Sequence, residues 1–232
     1  MDKVPSSLFG DEVDVGYQAF SLLKTGQDLR GNQWPILIQS LAEYRAPLYI
    51  YSSMPFIATF GLNEWSVRLP VVFWGVLGIA GLYFLVRKIL NEKIALFSAF
   101  FLTISPWHIH YSRASFEVTM LLAFFIFATY FFIRSIENKK LMILSSIMFA
   151  LTPYIYSTAT VFMPLFLLLL LFFFKQELKK NLKTFIISGL VALIILLPYG
   201  INTFFGQAGE RFSIVSIFGN KDLQSKVQLS QN

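Results

Sequence analysis

Three groups of side chains in this sequence could do chemistry. Asp11, Glu12 and Asp14 stand together ahead of an apolar stretch. Carboxylates there can cap the free amides of a helix start, with Asp11 as N-cap and Asp14 near the third position. One of them can equally serve as a general base that takes a proton from a hydroxyl; the two readings are compatible, because a capped carboxylate is also well oriented. Arg113 and Glu117, and likewise Glu64 and Arg68, are four residues apart, the spacing of helical neighbours. Glu64–Arg68 reads as a structural pair, and Arg113–Glu117 reads the same way in its cheapest form. His108 and His110 lie two apart beside Trp107 and Tyr111. On a helix that spacing sends them to different faces, so they read as the polar edge of an aromatic interfacial belt rather than as a joint metal site. No glycine-rich phosphate loop, HExxH zinc motif or Ser-His-Asp order is present.

The elements that must position these groups are membrane helices. Of the 232 residues, 56% are hydrophobic and only 14% charged, and the mean hydropathy is +0.62. A soluble domain carries roughly 25% charged residues, so too little polar surface exists here for a water-soluble globule. The net charge of +6 is confined to short loops, which points to membrane topology and away from nucleic acid. The absence of cysteine excludes disulfides and thiol chemistry.

Six segments are apolar enough to be read as spans: 65–86, 94–108, 116–133, 141–153, 158–174 and 184–199, the second and fourth being short for roughly 20 residues of hydrocarbon. Arg87, Lys88 and Lys93 fill one loop, Arg134, Lys139 and Lys140 a second, and Lys175, Lys179, Lys180 and Lys183 a third, whereas the intervening loops hold Arg113 and no basic residue. The basic loops are therefore expected inside. Residues 1–63, the loop 107–115, the turn 153–157 and the tail 201–232 are expected outside the cell membrane.

The chain thus reads as an outward segment (1–63), a transmembrane bundle (64–200) and an outward tail (201–232). Carrying residues 1–63 across requires a helix ahead of Met1, so the sequence is expected to be part of a longer protein. Within that segment, 11–25 is expected to form a helix lying on the membrane, with Val13, Tyr17, Phe20, Leu22 and Leu23 as its apolar face and Gly26 closing it. A second short helix is expected from Pro47 to about Phe60, kinked at Pro55. The fold class is all-α: a polytopic transmembrane bundle with outward juxtamembrane helices.

The ordered set Asp11-Glu12, Lys24-Thr25-Gly26-Gln27-Asp28, Arg45-Ala46-Pro47-Leu48-Tyr49, Gly61-Leu62-Asn63-Glu64-Trp65-Ser66-Val67-Arg68-Leu69-Pro70 and Ser105-Pro106-Trp107-His108-Ile109-His110-Tyr111-Ser112-Arg113 resembles the GT-C superfamily of lipid-phosphosugar glycosyltransferases. Within it, the set is similar to bacterial relatives of the protein O-mannosyltransferases and the lipid A aminoarabinose transferase. The resemblance implies transfer of a sugar from a polyprenyl-phosphate donor to a lipid, glycan or protein hydroxyl on the outer face, by a single inverting displacement. It implies Asp11 as base with Glu12 assisting or orienting the acceptor, and Arg113 and Arg45 on the donor phosphate, Arg45 standing where aminoarabinose transferases have a lysine. Glu117 and His110 are further candidates, for acceptor contact or for structural pairing. No cofactor is evident from the residues, and a divalent metal stays open. The competing reading is a fragment of a transporter or lipid flippase, a class that places polar or broken helices near mid-membrane.

Overall fold

The computed structural model describes residues 7–40 and 43–205. Helix α1 (Gly10–Thr25) starts with Phe9 as N-cap, so Asp11 is the second helical residue and not the cap. Glu12 is what satisfies the start: its Oε2 accepts the Phe9 amide at 3.1 Å, reaching back from the third helical position. The helix ends at Gly26 (φ 70°), whose N–H bonds to the Leu22 carbonyl, as the sequence suggests. The buried face is Val15, Ala19 and Leu22 with Glu12, Gly16 and Gln18, while Val13 and Tyr17 are exposed. This corrects the expected apolar face. Packing chose the stripe containing Gly16, where an added Cβ would stand 2.8 Å from Val67 Cγ2; only a glycine lets α1 lie this close to its neighbour.

A small antiparallel hairpin follows, β1 (Ile38–Ser40) with β2 (Glu43–Arg45), in a register that sets Ile38 opposite Arg45. Three-residue strands leave no readable alternation, and nothing in the sequence signalled them. Helix α2 (Leu48–Phe60) begins after Pro47 and contains Pro55, as expected.

The bundle is formed by α3 (Glu64–Ile89), α4 (Glu92–Ile104), α5 (Pro106–Tyr111), α6 (Glu117–Arg134), α7 (Lys140–Leu151) with a 3-10 turn at Thr152–Tyr154, α8 (Ala159–Phe173), α9 (Lys175–Lys180) and α10 (Leu182–Phe205). Among the described residues three helices are long and apolar enough to cross a membrane: α3, α6 and α10. The other three expected segments form shorter apolar helices that still carry the chain between the two ends of the bundle. With 13, 12 and 15 residues, α4, α7 and α8 rise about 18–22 Å, short of the ~30 Å core. Proline sets two of these limits: Ser105-Pro106 breaks α4 from α5, and Pro153 turns the end of α7 into 3-10 geometry. The last helix runs beyond the expected end at 199, to Phe205; residues 206–232, most of the expected outward tail, lie outside the described residues.

Helices α3 and α6 are the bundle's centre. Their close approach is set by Gly81, where an added Cβ would stand 3.0 Å from the Phe127 ring, and the α5–α6 connection packs on α3 at Gly75, where an added Cβ would meet Ser112 Oγ at 2.6 Å. One apolar core joins α1, the hairpin, α2 and α3 through Val15, Ile38, Tyr49, Ile50 and Val71; a second joins α6 to α9 through Phe132, Met142, Phe149 and Leu178. Large apolar side chains such as Phe97, Phe101, Leu168, Phe173 and Ile194 are exposed, as a lipid-facing surface requires. The fold is an all-α membrane bundle. Its loops after α3 and α6 meet at one end, where Lys88 pairs with Glu137; α1 and the starts of α3 and α6 meet at the other.

Candidate active site

At that second end, four separate stretches of chain converge on a polar cavity of about 240 Å³. Asp11 comes from the first turn of α1, Arg45 and Ala46 from the end of β2, Tyr111, Phe116, Glu117 and Val118 from the α5–α6 connection, and Tyr156 and Ser157 from the turn before α8. The Arg45 guanidinium pairs with Asp11 through Nη2 and Oδ1, and its Nε stands 3.8 Å from Asp14 Oδ2. Burial works against a charge on Arg45. Hydrogen bonding to Asp11, with the fields of Asp11, Glu117 and Asp14 added, outweighs it and holds the guanidinium above its ordinary pKa. One cation therefore sits among three carboxylates. Gln18 keeps the two sides in register: its Nε2 donates to the Gln39 carbonyl of β1 at 3.2 Å, and its Oε1 accepts the Leu29 amide at 3.1 Å.

Glu12 is adjacent in sequence to Asp11 and points elsewhere. It is 1% exposed and forms a bidentate pair with Arg68, Nε to Oε1 and Nη2 to Oε2, both 2.8 Å. It also accepts the amides of Phe9 (3.1 Å) and Ser115 (3.2 Å). Burial would raise its pKa; the Arg68 hydrogen bonds, helped by the two amides, prevail and hold it below the ordinary carboxylate value. Arg68 Nη2 reaches the Ser7 carbonyl at 3.1 Å, and Ser115 Oγ donates to the Val67 carbonyl at 2.6 Å. This knot ties the start of α1 to α3 and to the segment entering α6. It sets Asp11, one residue before Glu12, and Glu117, two after Ser115, into the same cavity. The sequence reading assigned Arg68 to Glu64 by spacing; its guanidinium is on Glu12, 56 residues away.

Arg113 is exposed and does not line the cavity. The chain turns tightly there, with the Ser112 amide on His108 O at 2.9 Å and the Arg113 amide on His110 O at 3.2 Å, and this turn delivers Ser115 and Glu117 inward instead. His110 is exposed, its ring edge-on to Tyr111 at 5.4 Å, whereas His108 is buried beside Gly75. The two histidines do take different faces. Among the described residues no group of three or more His, Asp or Glu side chains is placed to hold a metal ion.

The family model for dolichyl-phosphate-mannose-protein mannosyltransferase matches residues 44–201, well over half of the chain. The chain belongs to this family. Its membership makes it a membrane protein of the GT-C glycosyltransferase type. The fold agrees: the crystal structure of ArnT from Cupriavidus metallidurans in the apo state superposes with a TM-score of 0.66 at 16% identity, over 91% of this chain and 39% of that one. The chain thus spans about two fifths of that protein's length. No characterised protein sequence gives a significant match. In this mannosyltransferase-family chain, sequence reasoning missed Tyr111, Tyr156 and Ser157 as cavity residues. A tyrosine or serine at the end of an apolar run carries no pattern that separates a cavity wall from an interfacial belt.

Beyond Val118 the polar cavity adjoins an apolar groove of about 290 Å³, walled by Trp107, Leu121, Phe125, Phe162 and Met163. Val118 lines both. A polar chamber thus opens beside a hydrocarbon-like trough.

Proposed function

We propose that the complete protein transfers a sugar from a polyprenyl-phosphate carrier to an acceptor hydroxyl, with this cavity holding the reacting groups on the outer face of the cell membrane. The observation that carries this reading is the shared cavity of Asp11, Arg45 and Glu117, with an apolar groove on the other side of Val118. A prenyl chain fits the groove and a phosphosugar fits the chamber. Neither a transporter nor a flippase fragment needs a carboxylate held against an arginine at the end of its helices.

The chemistry follows from the pairings. Asp11 Oδ accepts the proton of the acceptor hydroxyl; that oxygen forms a bond to the anomeric carbon from the face opposite the phosphate. The bond from the anomeric carbon to the phosphate oxygen breaks, its electron pair staying with the lipid phosphate, and the configuration inverts. Arg45 receives the added charge, which is the interaction that strengthens in the transition state. Before the donor arrives Arg45 holds Asp11. Transfer of Arg45 onto the donor phosphate releases Asp11 for its task. Glu117 faces the acceptor side of the same chamber, and Glu12 acts through Arg68 and Ser115 as a positioning residue. Arg113, outside the lining, contacts headgroups at the rim.

The test is Asp11→Asn in the full-length enzyme, with sugar transfer and polyprenyl-phosphate binding measured on the same preparation. Transfer should fall by about 10²–10⁴-fold, while lipid-phosphate binding stays within a few-fold. Wild-type turnover would remove Asp11 from the mechanism.

A further inference from the structure

At the basic end, away from the polar cavity, a second apolar chamber of about 220 Å³ lies between α6, α7, α8 and α10, with Phe132, Phe149, Leu171, Phe185 and Ser188 among its walls. Ser188 is 4% exposed, and its Oγ has no hydrogen-bond partner. A buried hydroxyl ordinarily finds one; the neighbouring Ser145, on the same chamber, donates to the Ala128 carbonyl at 2.8 Å. One turn further along α10, Ala192 also lines the chamber with a small side chain. The space is open, apolar and furnished with one unsatisfied donor.

Leu171 and Phe185, both on the chamber wall, bracket the connection 172–184 that closes this end. Within it α9 buries Leu178 into the core, and Lys175, Lys179, Lys180 and Lys183 are exposed. Glu177 is the only carboxylate of the connection, and Lys180 pairs with it at 2.8 Å. Phe172, Phe173 and Leu182 are exposed beside the lysines, as an interfacial segment requires. Lys183 precedes Ser188 by five residues of α10, an axial rise of about 7.5 Å. That is the order of the separation between a phospholipid's phosphate and its ester carbonyls.

We propose that this collar and chamber bind one anionic phospholipid. Its phosphate and headgroup meet Lys179 and Lys183, an ester carbonyl accepts the Ser188 hydroxyl, and one acyl chain occupies the chamber between α8 and α10. Charge selects the occupant: four lysines against one paired carboxylate favour a net-negative headgroup over a zwitterionic one. The site depends on the chamber and the lysines alone, so it stands or falls apart from the transferase reading.

The test is native mass spectrometry of the full-length protein released from nanodiscs containing phosphatidylglycerol and phosphatidylethanolamine of identical acyl chains. Wild type should retain one phosphatidylglycerol with a preference of about thirtyfold, the scale that two lysines near a phosphate supply. The double variant Lys179→Gln, Lys183→Gln, on the exposed surface, should lose that preference while still carrying lipid of either kind. Ala192→Leu, one turn after Ser188 on the chamber wall, adds bulk there and should lower retention of both lipids. Equal retention of the two lipids by wild type, or an undiminished preference in the lysine variant, overturns the proposal. Unchanged retention in Ala192→Leu overturns the placement of the acyl chain, and the lysine variant decides the headgroup site even where Ala192→Leu does not fold.

Discussion

At the residue scale, Asp11 and Glu12 are neighbours with opposite tasks. Helical geometry turns successive residues by about 100°, so one carboxylate meets the chamber and the other the protein interior. Glu12 and Arg68 are together almost wholly buried, and such a pair is expensive to break from one side, because the partner keeps its charge without compensation. Glu12→Gln should destabilise the fold by about 3–5 kcal/mol, read as a lowered midpoint in thermal unfolding of the detergent-solubilised protein. The same pair makes stability depend on acid. Since folding depresses the pKa of Glu12, its contribution is complete above the ordinary carboxylate value and disappears as pH falls through the folded-state value. The unfolding midpoint of wild type should drop across that window, and the midpoint of Glu12→Gln should drop less; parallel curves would contradict the assignment.

At the element scale, α10 shows how the bundle accommodates a proline in an apolar environment. Pro198 interrupts the ladder of the helix. The Tyr154 hydroxyl enters the gap: it donates to the Ile195 carbonyl at 2.5 Å and accepts the Tyr199 amide at 3.2 Å. Those two groups would otherwise bond to each other in a regular helix. Thr160 Oγ1 and the Tyr199 hydroxyl, 3.2 Å apart, add a second link between α8 and α10. Tyr154→Phe should therefore cost about 1–3 kcal/mol while leaving the apolar packing intact. Hydrogen exchange at Tyr199 should rise with it, and an unaltered exchange rate would show that the hydroxyl is not needed.

At the scale of the whole molecule, the polar cavity and the lysine-rich loops lie at opposite ends of α3 and α6. The basic loops predict which end is cytoplasmic. The chain contains no cysteine, so Arg113→Cys and Lys179→Cys in the full-length protein report on one end each, both positions being exposed. A membrane-impermeant maleimide on intact cells should label the first and not the second. Labelling of Lys179→Cys alone would invert the orientation and with it the proposed outer-face chemistry.

Composition and charge placement by themselves determined the class of this protein. Too few polar residues exist for a soluble surface, and lysines and arginines gather in alternate loops, so a helical membrane bundle with its acidic helix start at one end was legible directly. Helix ends marked by Gly26 and Pro47 were legible for the same local reason: they depend on a residue's own backbone preferences. What tertiary structure alone decided were choices between equivalent local options. Two faces of α1 were apolar, and close packing at Gly16 selected one. Arg68 had Glu64 at helical spacing, and burial beside Glu12 outcompeted it. Arg113 and Arg45 were both candidate cations, and the turn at 112–115 together with the unforeseen hairpin carried only Arg45 into the chamber. Local pattern records what a residue can do; which partner it meets is set by contacts between segments tens of residues apart, and those carry no periodic trace in the chain.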